Sequence, residues 1–219
     1  MSITTNLKHI LNTIPDHVTL VAVSKTKPIE DLLEAYNAGQ RHFGENKIQE
    51  MTSKAEQLPK DIKWHMIGHV QTNKVKYMAP FVSLVHGVDS YKLLKEINKQ
   101  AKKHQRVIDC LIQIKIAKED SKFGMSFEDT KTLVKSDKFS ELKHIKIKGL
   151  MGMATFTDDS DVLNTEFSYL QNCFNDLKEE LADLDTLSMG MSGDYEIAIN
   201  HGSNMIRVGS NIFGARQYN

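Results

Sequence analysis

Residues 21 to 28 read V-A-V-S-K-T-K-P: an apolar run stops at Ser24 and Lys25, and Pro28 opens the next segment. A primary amine at the end of a buried strand can attack a carbonyl and form a Schiff base. It can equally snorkel from the strand end into water. Far along the chain, residues 188 to 216 read S-M-G-M-S-G-D-Y-E-I-A-I-N-H-G-S-N-M-I-R-V-G-S-N-I-F-G-A-R. Two small, hydroxyl-bearing turns stand out there, Ser188–Ser192–Gly193 and Gly209–Ser210. Glycine lets a backbone approach an anion, and amides plus a serine hydroxyl can satisfy its oxygens. Plain tight turns use the same residues. Arg207 lies two residues before Gly209 and shares its side of the strand. Inside a core it needs an internal ion pair or a ligand heteroatom.

The elements that must position these residues alternate strand with helix. A helix over 3–14 precedes a strand at 18–23 and a helix that opens at Pro28 and closes before Gly39. Strands follow at 41–43, 62–67, 82–88, 106–114, 145–151, 186–190 and 205–209. Helices fall at 46–57, 90–104, from about 126, 161–182 and 194–200, with a helical stretch at 71–78 and a short terminal turn. Alternating βα units imply parallel strands, and eight of them imply a closed (β/α)₈ barrel with an extra N-terminal helix. A doubly wound sheet would need no count of eight. The expectation is one barrel domain over 1–219, since no linker-like or low-complexity tract divides the chain. Chemistry in such barrels gathers at the C-terminal strand ends, and phosphate commonly binds after strands seven and eight. Closure makes strands one and eight neighbours. Lys25, the two turns and Arg207 then converge and suit a planar phosphorylated aldehyde such as pyridoxal 5′-phosphate (PLP), with its aldehyde, phosphate and ring nitrogen.

Lys+Arg and Asp+Glu both number 28, so the formal net charge is zero. No basic footprint for nucleic acid and no polybasic run for an anionic membrane surface follow from that balance. No stretch reaches the roughly 20 apolar residues of a membrane span, and the N-terminal segment lacks a long apolar core of the signal-peptide kind. Cys110 and Cys173 are isolated and read as core thiols, in keeping with a reducing cytoplasm.

The motifs V-A-V-S-K-T-K-P, H-F-G-E-N-K-I-Q-E, W-H-M-I-G-H-V-Q-T-N-K, S-K-F-G-M, G-L-M-G-M-A and the 188–216 stretch closely resemble those of the pyridoxal phosphate homeostasis proteins of the YggS/PROSC type, from about residue 18 to 216 and in the same order. The resemblance implies a PLP-binding barrel like the N-terminal domain of alanine racemase, without that enzyme's second domain. It implies a protein that carries and buffers PLP, with no assigned reaction. Lys25 would be the Schiff-base lysine and Arg207 would face the pyridine nitrogen. Ser192, Gly209 and Ser210 would hold the phosphate, and Asn46 would lie at the barrel mouth. His69 and Lys122 fall in motifs near the site, and Asn204 is expected to differ from relatives behind it. Apo-PLP enzymes are the expected recipients, and the chain is expected to act as a cytoplasmic monomer.

Other candidates weigh less. His65 and His69 are four residues apart, a metal-pair spacing on a helix, but they straddle a strand end with no acidic partner at metalloprotease spacing. Lys146 and Lys148 occupy the sixth strand, where Schiff-base lysines of aldolases occur on this fold; a solvent-side role is the simpler reading. The methionines Met151, Met153, Met189 and Met191 can fill core or line a flat ligand. Three functions therefore stand: a PLP carrier, a PLP-dependent enzyme acting on amino acids, and a lysine-dependent aldolase.

Overall fold

The computed structural model describes residues 2–117 and 123–214. Its strands form one closed parallel barrel in chain order. Helix α1 (Ile3–Thr13) leads into β1 (Thr19–Val23), α2 (Ile29–Asn37), β2 (His42–Glu45), α3 (Ile48–Gln57) and β3 (Lys63–Met66). A 3₁₀ turn (Thr72–Lys74) and the short α4 (Val75–Met78) connect to β4 (Leu84–Val88), α5 (Tyr91–Lys103) and β5 (Ile108–Gln113). The chain continues through α6 (Phe127–Val134), α7 (Asp137–Ser140), β6 (Ile145–Met151), α8 (Ser160–Lys178), β7 (Thr186–Ser188), α9 (Tyr195–Asn200), β8 (Met205–Val208) and α10 (Ser210–Phe213).

The expected barrel and its extra helix are therefore present, and most boundaries agree within a few residues. The differences have local causes. The second strand runs on to Gly44 and Glu45, because these pair with His65 and Met66 of β3. The helix expected to 182 ends at Lys178, where Glu179 and Glu180 would put negative charge against the negative end of the helix dipole. Strand β7 stops at Ser188, and Gly190 turns the chain with φ +94°. A Cβ on Gly190 would stand 2.7 Å from the Cβ of Ala198, so only glycine lets α9 close over this strand end.

Side chains alternate across each strand. One face joins the helices in the main core, represented by Leu20, Ala22, Phe43, Trp64, Leu150 and Ile206. The other face fills the barrel, where Val21, Leu84, Leu111, Met151 and Met205 make a small apolar cluster. Helix α1 packs beside α2 and α10, and Asn6 donates to the carbonyl of Ile212 at 3.0 Å. Cys110 and Cys173 are free and buried. No helix among the described residues is long and apolar enough to cross a membrane.

Gly149 marks the tightest backbone approach between strands. A Cβ there would overlap the carbonyl of Thr186 on the paired strand β7. Gly149→Ala is expected to cost about 3 kcal/mol or more by forcing β6 and β7 apart, a core-strain effect. Urea denaturation of the variant beside the parent checks it.

Candidate functional site

Closure of the barrel builds the site. Strand β1 pairs with β8 in parallel, with Val21 opposite Arg207 and Ala22 opposite Val208. Gly209 follows beside Val23, close enough that a Cβ would lie 3.1 Å from the Val23 carbonyl oxygen. Lys25 comes two residues after Val23, on the side that alternation from Val21 assigns to the barrel interior, and is half-buried. Ser192, from the loop after β7, reaches the same seam: its Oγ accepts the Gly209 amide at 3.2 Å. Its carbonyl accepts from Asn211 Nδ2 at 3.0 Å. Ser210 opens α10 and is exposed, and the first amides of that turn have no intrahelical acceptor.

The turn that carries Lys25 is anchored on three sides. Lys54 of α3 donates to the Ser24 carbonyl at 2.8 Å, to Glu45 Oε1 at 2.8 Å and to Glu50 Oε1 at 2.7 Å. Ser24 Oγ donates to the same Glu45 oxygen at 2.7 Å. Thr26, with φ at +64°, donates its amide to Glu50 Oε1 at 2.6 Å. Lys27 Nζ crosses the seam to the carbonyls of Phe213 and Gly214 at 2.8 and 3.3 Å. Glu45 is fully buried, and its Oε2 has no hydrogen-bond partner among the described residues. Burial pushes its carboxyl above the usual range, against the pull of Lys54 and Ser24.

Arg207 is buried inside the barrel. Nη1 donates to Ser188 Oγ at 2.6 Å and Nη2 to the Gly152 carbonyl at 2.9 Å. Among the described residues it makes no ion pair, and Asp194 is the carboxylate whose charge favours its protonated form. Burial lowers its guanidinium to about 10, so it stays charged at neutral pH. Ser188 in turn lies 3.2 Å from His86 Nδ1. His86 Nε2 is 2.9 Å from His65 Nδ1, and His65 Nε2 is 2.9 Å from His42 Nδ1. Desolvation lowers the pKa of all three imidazoles: His65 to about 3, His86 well below its usual value, and His42 in the same direction.

Several expectations change in this frame. Ser188 belongs to no turn: as the last residue of β7 it points inward, since its pairing partner Met151 does. His65 and His69 do not meet; the first is in the barrel, while the second is on the rim, 3.1 Å from Asp89 and stacked on Phe123 at 4.0 Å between ring centroids. Asn46 is half-buried at the end of β2, where Gly68 packs against its backbone. Asn204 stands at the opposite end of the barrel, before β8, and bridges strands by accepting from the Leu187 amide at 2.8 Å and donating to the Asp185 carbonyl at 2.6 Å. It does not back the site. Lys146 pairs with Asp183 and Lys148 with Asp185 on the solvent side. Met151 lies in the barrel and Met189 in the outer core. Lys122 lies outside the described residues. The sequence reading missed His42, His86 and the Lys54–Glu45 pair, and it weighed His65 only as a metal ligand beside His69. One signal was available: His42, His65 and His86 each occupy an inward position of successive strands.

The alanine racemase N-terminal domain family matches residues 1–217. The pyridoxal phosphate homeostasis protein of Vibrio alginolyticus is 39% identical over 232 residues, covering 99% of each chain. That of Schizosaccharomyces pombe is 40% identical over 204 residues, covering 91% of this chain and 85% of its own. The chain belongs to the pyridoxal phosphate homeostasis protein family. Among solved structures, PipY of Synechococcus elongatus with PLP bound superposes at a TM-score of 0.89, with 32% identity over 97% of this chain and 100% of PipY. Alanine racemase of Clostridium difficile shares the fold at a TM-score of 0.81 and 13% identity, and this homeostasis-family chain spans 61% of that enzyme.

Two outcomes follow from the buried ionisable groups. Unfolding frees imidazoles that are neutral in the fold, and each takes up a proton once the pH is below about 6.5. Stability is thus full above that pH and falls as pH drops toward 3, by up to about 2 kcal/mol for His65 between pH 6.5 and 5, with His86 and His42 acting in the same direction. Urea midpoints measured across this range check the sign and the size. Lys54→Met leaves Glu45 buried without its partner and is expected to cost about 3–5 kcal/mol. Adding Glu45→Gln should return much of that loss, measured in the same urea assay.

Proposed function

We propose that this chain holds PLP as a reversible cargo, buffering it and passing it on in vitamin B6 homeostasis, with the cofactor attached to Lys25 as a Schiff base. The observation that carries this reading is the β8–β1 seam. There the anchored Lys25 turn follows β1, and the paired β8 carries the buried Arg207 and leads into Gly209, whose amide donates to Ser192. Its relatives named as homeostasis proteins, and PipY with PLP bound, support the same ligand class.

The residues fit the group. When bound, PLP supplies an electrophilic aldehyde and a ring that delocalises electrons. The chain's own groups do the rest. Lys25 presents its amine from a turn that three elements hold in place. Ser192, Ser210 and the opening amides of α10 would hold the phosphate. Gly209 contributes chiefly by lacking a Cβ, since its amide is already taken by Ser192. Arg207, charged at neutral pH, would donate to the ring nitrogen and so select its unprotonated form. A ring kept unprotonated is a weak electron sink, which favours storage over transformation. Asn46 lines the rim beside the lysine turn. Apo-PLP enzymes are the recipients in this reading, and a monomer in the cytoplasm, where free buried thiols persist, is the acting form.

Borohydride reduction of the PLP-loaded protein is expected to fix a pyridoxyl group on the peptide containing Lys25, read by mass spectrometry. Pyridoxal, which lacks the phosphate, should bind at least ten-fold more weakly, since each hydrogen bond to a charged group is worth about 1.5–3 kcal/mol. A label on Lys146 or Lys148 would move the reading to an aldolase.

A further inference from the structure

Ser188 and the three histidines are not among the residues proposed to hold PLP, yet they form an unbroken line that ends on Arg207. The line runs from His42, half-buried at the start of β2, through His65 and His86, both nearly or wholly inaccessible, to Ser188 and the guanidinium. Its polarity is set at the arginine end. A guanidinium only donates, so Ser188 Oγ must accept from Nη1. Its own hydrogen then goes to His86 Nδ1. The opposite polarity would leave that hydroxyl hydrogen without an acceptor among the described residues, beside the apolar cluster of Val21, Leu84, Leu111, Met151 and Met205. With Nδ1 of His86 accepting, Nε2–H donates to His65, and His65 donates onward to His42. Every buried donor and acceptor of the row is then satisfied, and all three imidazoles carry their hydrogen on Nε2.

We propose that Ser188, His86, His65 and His42 are positioning residues for Arg207: an uncharged hydrogen-bond row of single polarity that fixes the guanidinium without neutralising it. This rests on the PLP reading above and deepens it. A carboxylate would hold an arginine equally well, but it would cancel the charge that a ligand nitrogen meets. A serine backed by neutral imidazoles supplies a well-aimed acceptor and leaves the charge for the ligand. Discrimination by Arg207 at the ring nitrogen therefore depends on residues that never touch it.

The test separates ring-nitrogen recognition from binding in general. Affinities of PLP and of 1-deaza-PLP, in which carbon replaces the ring nitrogen, are compared on the full chain. Wild type should prefer PLP about ten-fold or more, the worth of one charge-assisted hydrogen bond. Ser188→Ala should remove most of that preference, Ser188→Thr should retain it, and His86→Leu, which leaves Arg207's own contacts intact, should reduce it several-fold. If the variants weaken both ligands equally, the row is merely structural and the proposal fails. Equal wild-type affinity for both ligands also overturns it while leaving the PLP reading intact, whereas no binding of either ligand overturns the PLP reading itself. A second measurement needs no variant: ¹⁵N–¹H correlation of the imidazoles in ligand-free protein at pH 7. Neutral Nε2–H forms of His65 and His86 are expected, and an Nδ1–H form or an imidazolium at either refutes the row whether or not the variants fold.

Discussion

The pairing of β8 with β1 is the constraint on which the site depends. A parallel sheet that stayed open would leave the first and last strands as two unpaired edges, far apart in space as they are in sequence. Closure satisfies both edges and sets Arg207 opposite Val21. The same register puts Gly209 against the backbone of Val23, and from there α10 sends its carbonyls to Lys27. The lysine turn and the small-residue turn are thus parts of one seam. The backbone pairing of the two strands holds them together.

A barrel of eight strands must fill its own interior. Here an apolar cluster and a polar row share the space. Burying a guanidinium is costly unless its donors are met, and burying an imidazolium is costlier than burying a neutral ring. The row resolves both at once, because neutral histidines need only one donor and one acceptor each. The price is acid sensitivity, since the unfolded chain can bind protons that the barrel refuses.

A different solution operates outside the barrel wall. Ser24, Glu45 and Lys54 meet between β1, β2 and α3, where an ion pair is desolvated on both sides. Such a pair adds little net stability over apolar packing. Its value lies in direction: Lys54 reaches the Ser24 carbonyl while Glu50, one helical turn earlier, holds the Thr26 amide. Two backbone groups flanking Lys25 are therefore fastened to α3, and the positive φ of Thr26 is kept in place by a bond made to its own amide.

Alternating apolar runs and helical periods determined, from the sequence alone, the eight strands, their parallel order and the barrel. Local chemistry also singled out Lys25, Arg207, Ser192, Gly209 and Ser210, because an amine, a guanidinium and small turns are recognisable one at a time. Partnership was another matter. Ser188 read as a turn residue, since its inward direction depends on the register of β7 with β6. His42, His65 and His86 lie on three different strands, each an ordinary residue in its own neighbourhood. Asn204 shares a motif with Arg207, yet the strand between them carries it to the far end of the barrel. Residue type and period act over a few positions of chain, so the sequence determined elements and candidate groups. Which groups touch is decided by strand register and barrel closure, interactions between segments far apart in sequence, and only the tertiary structure decided those.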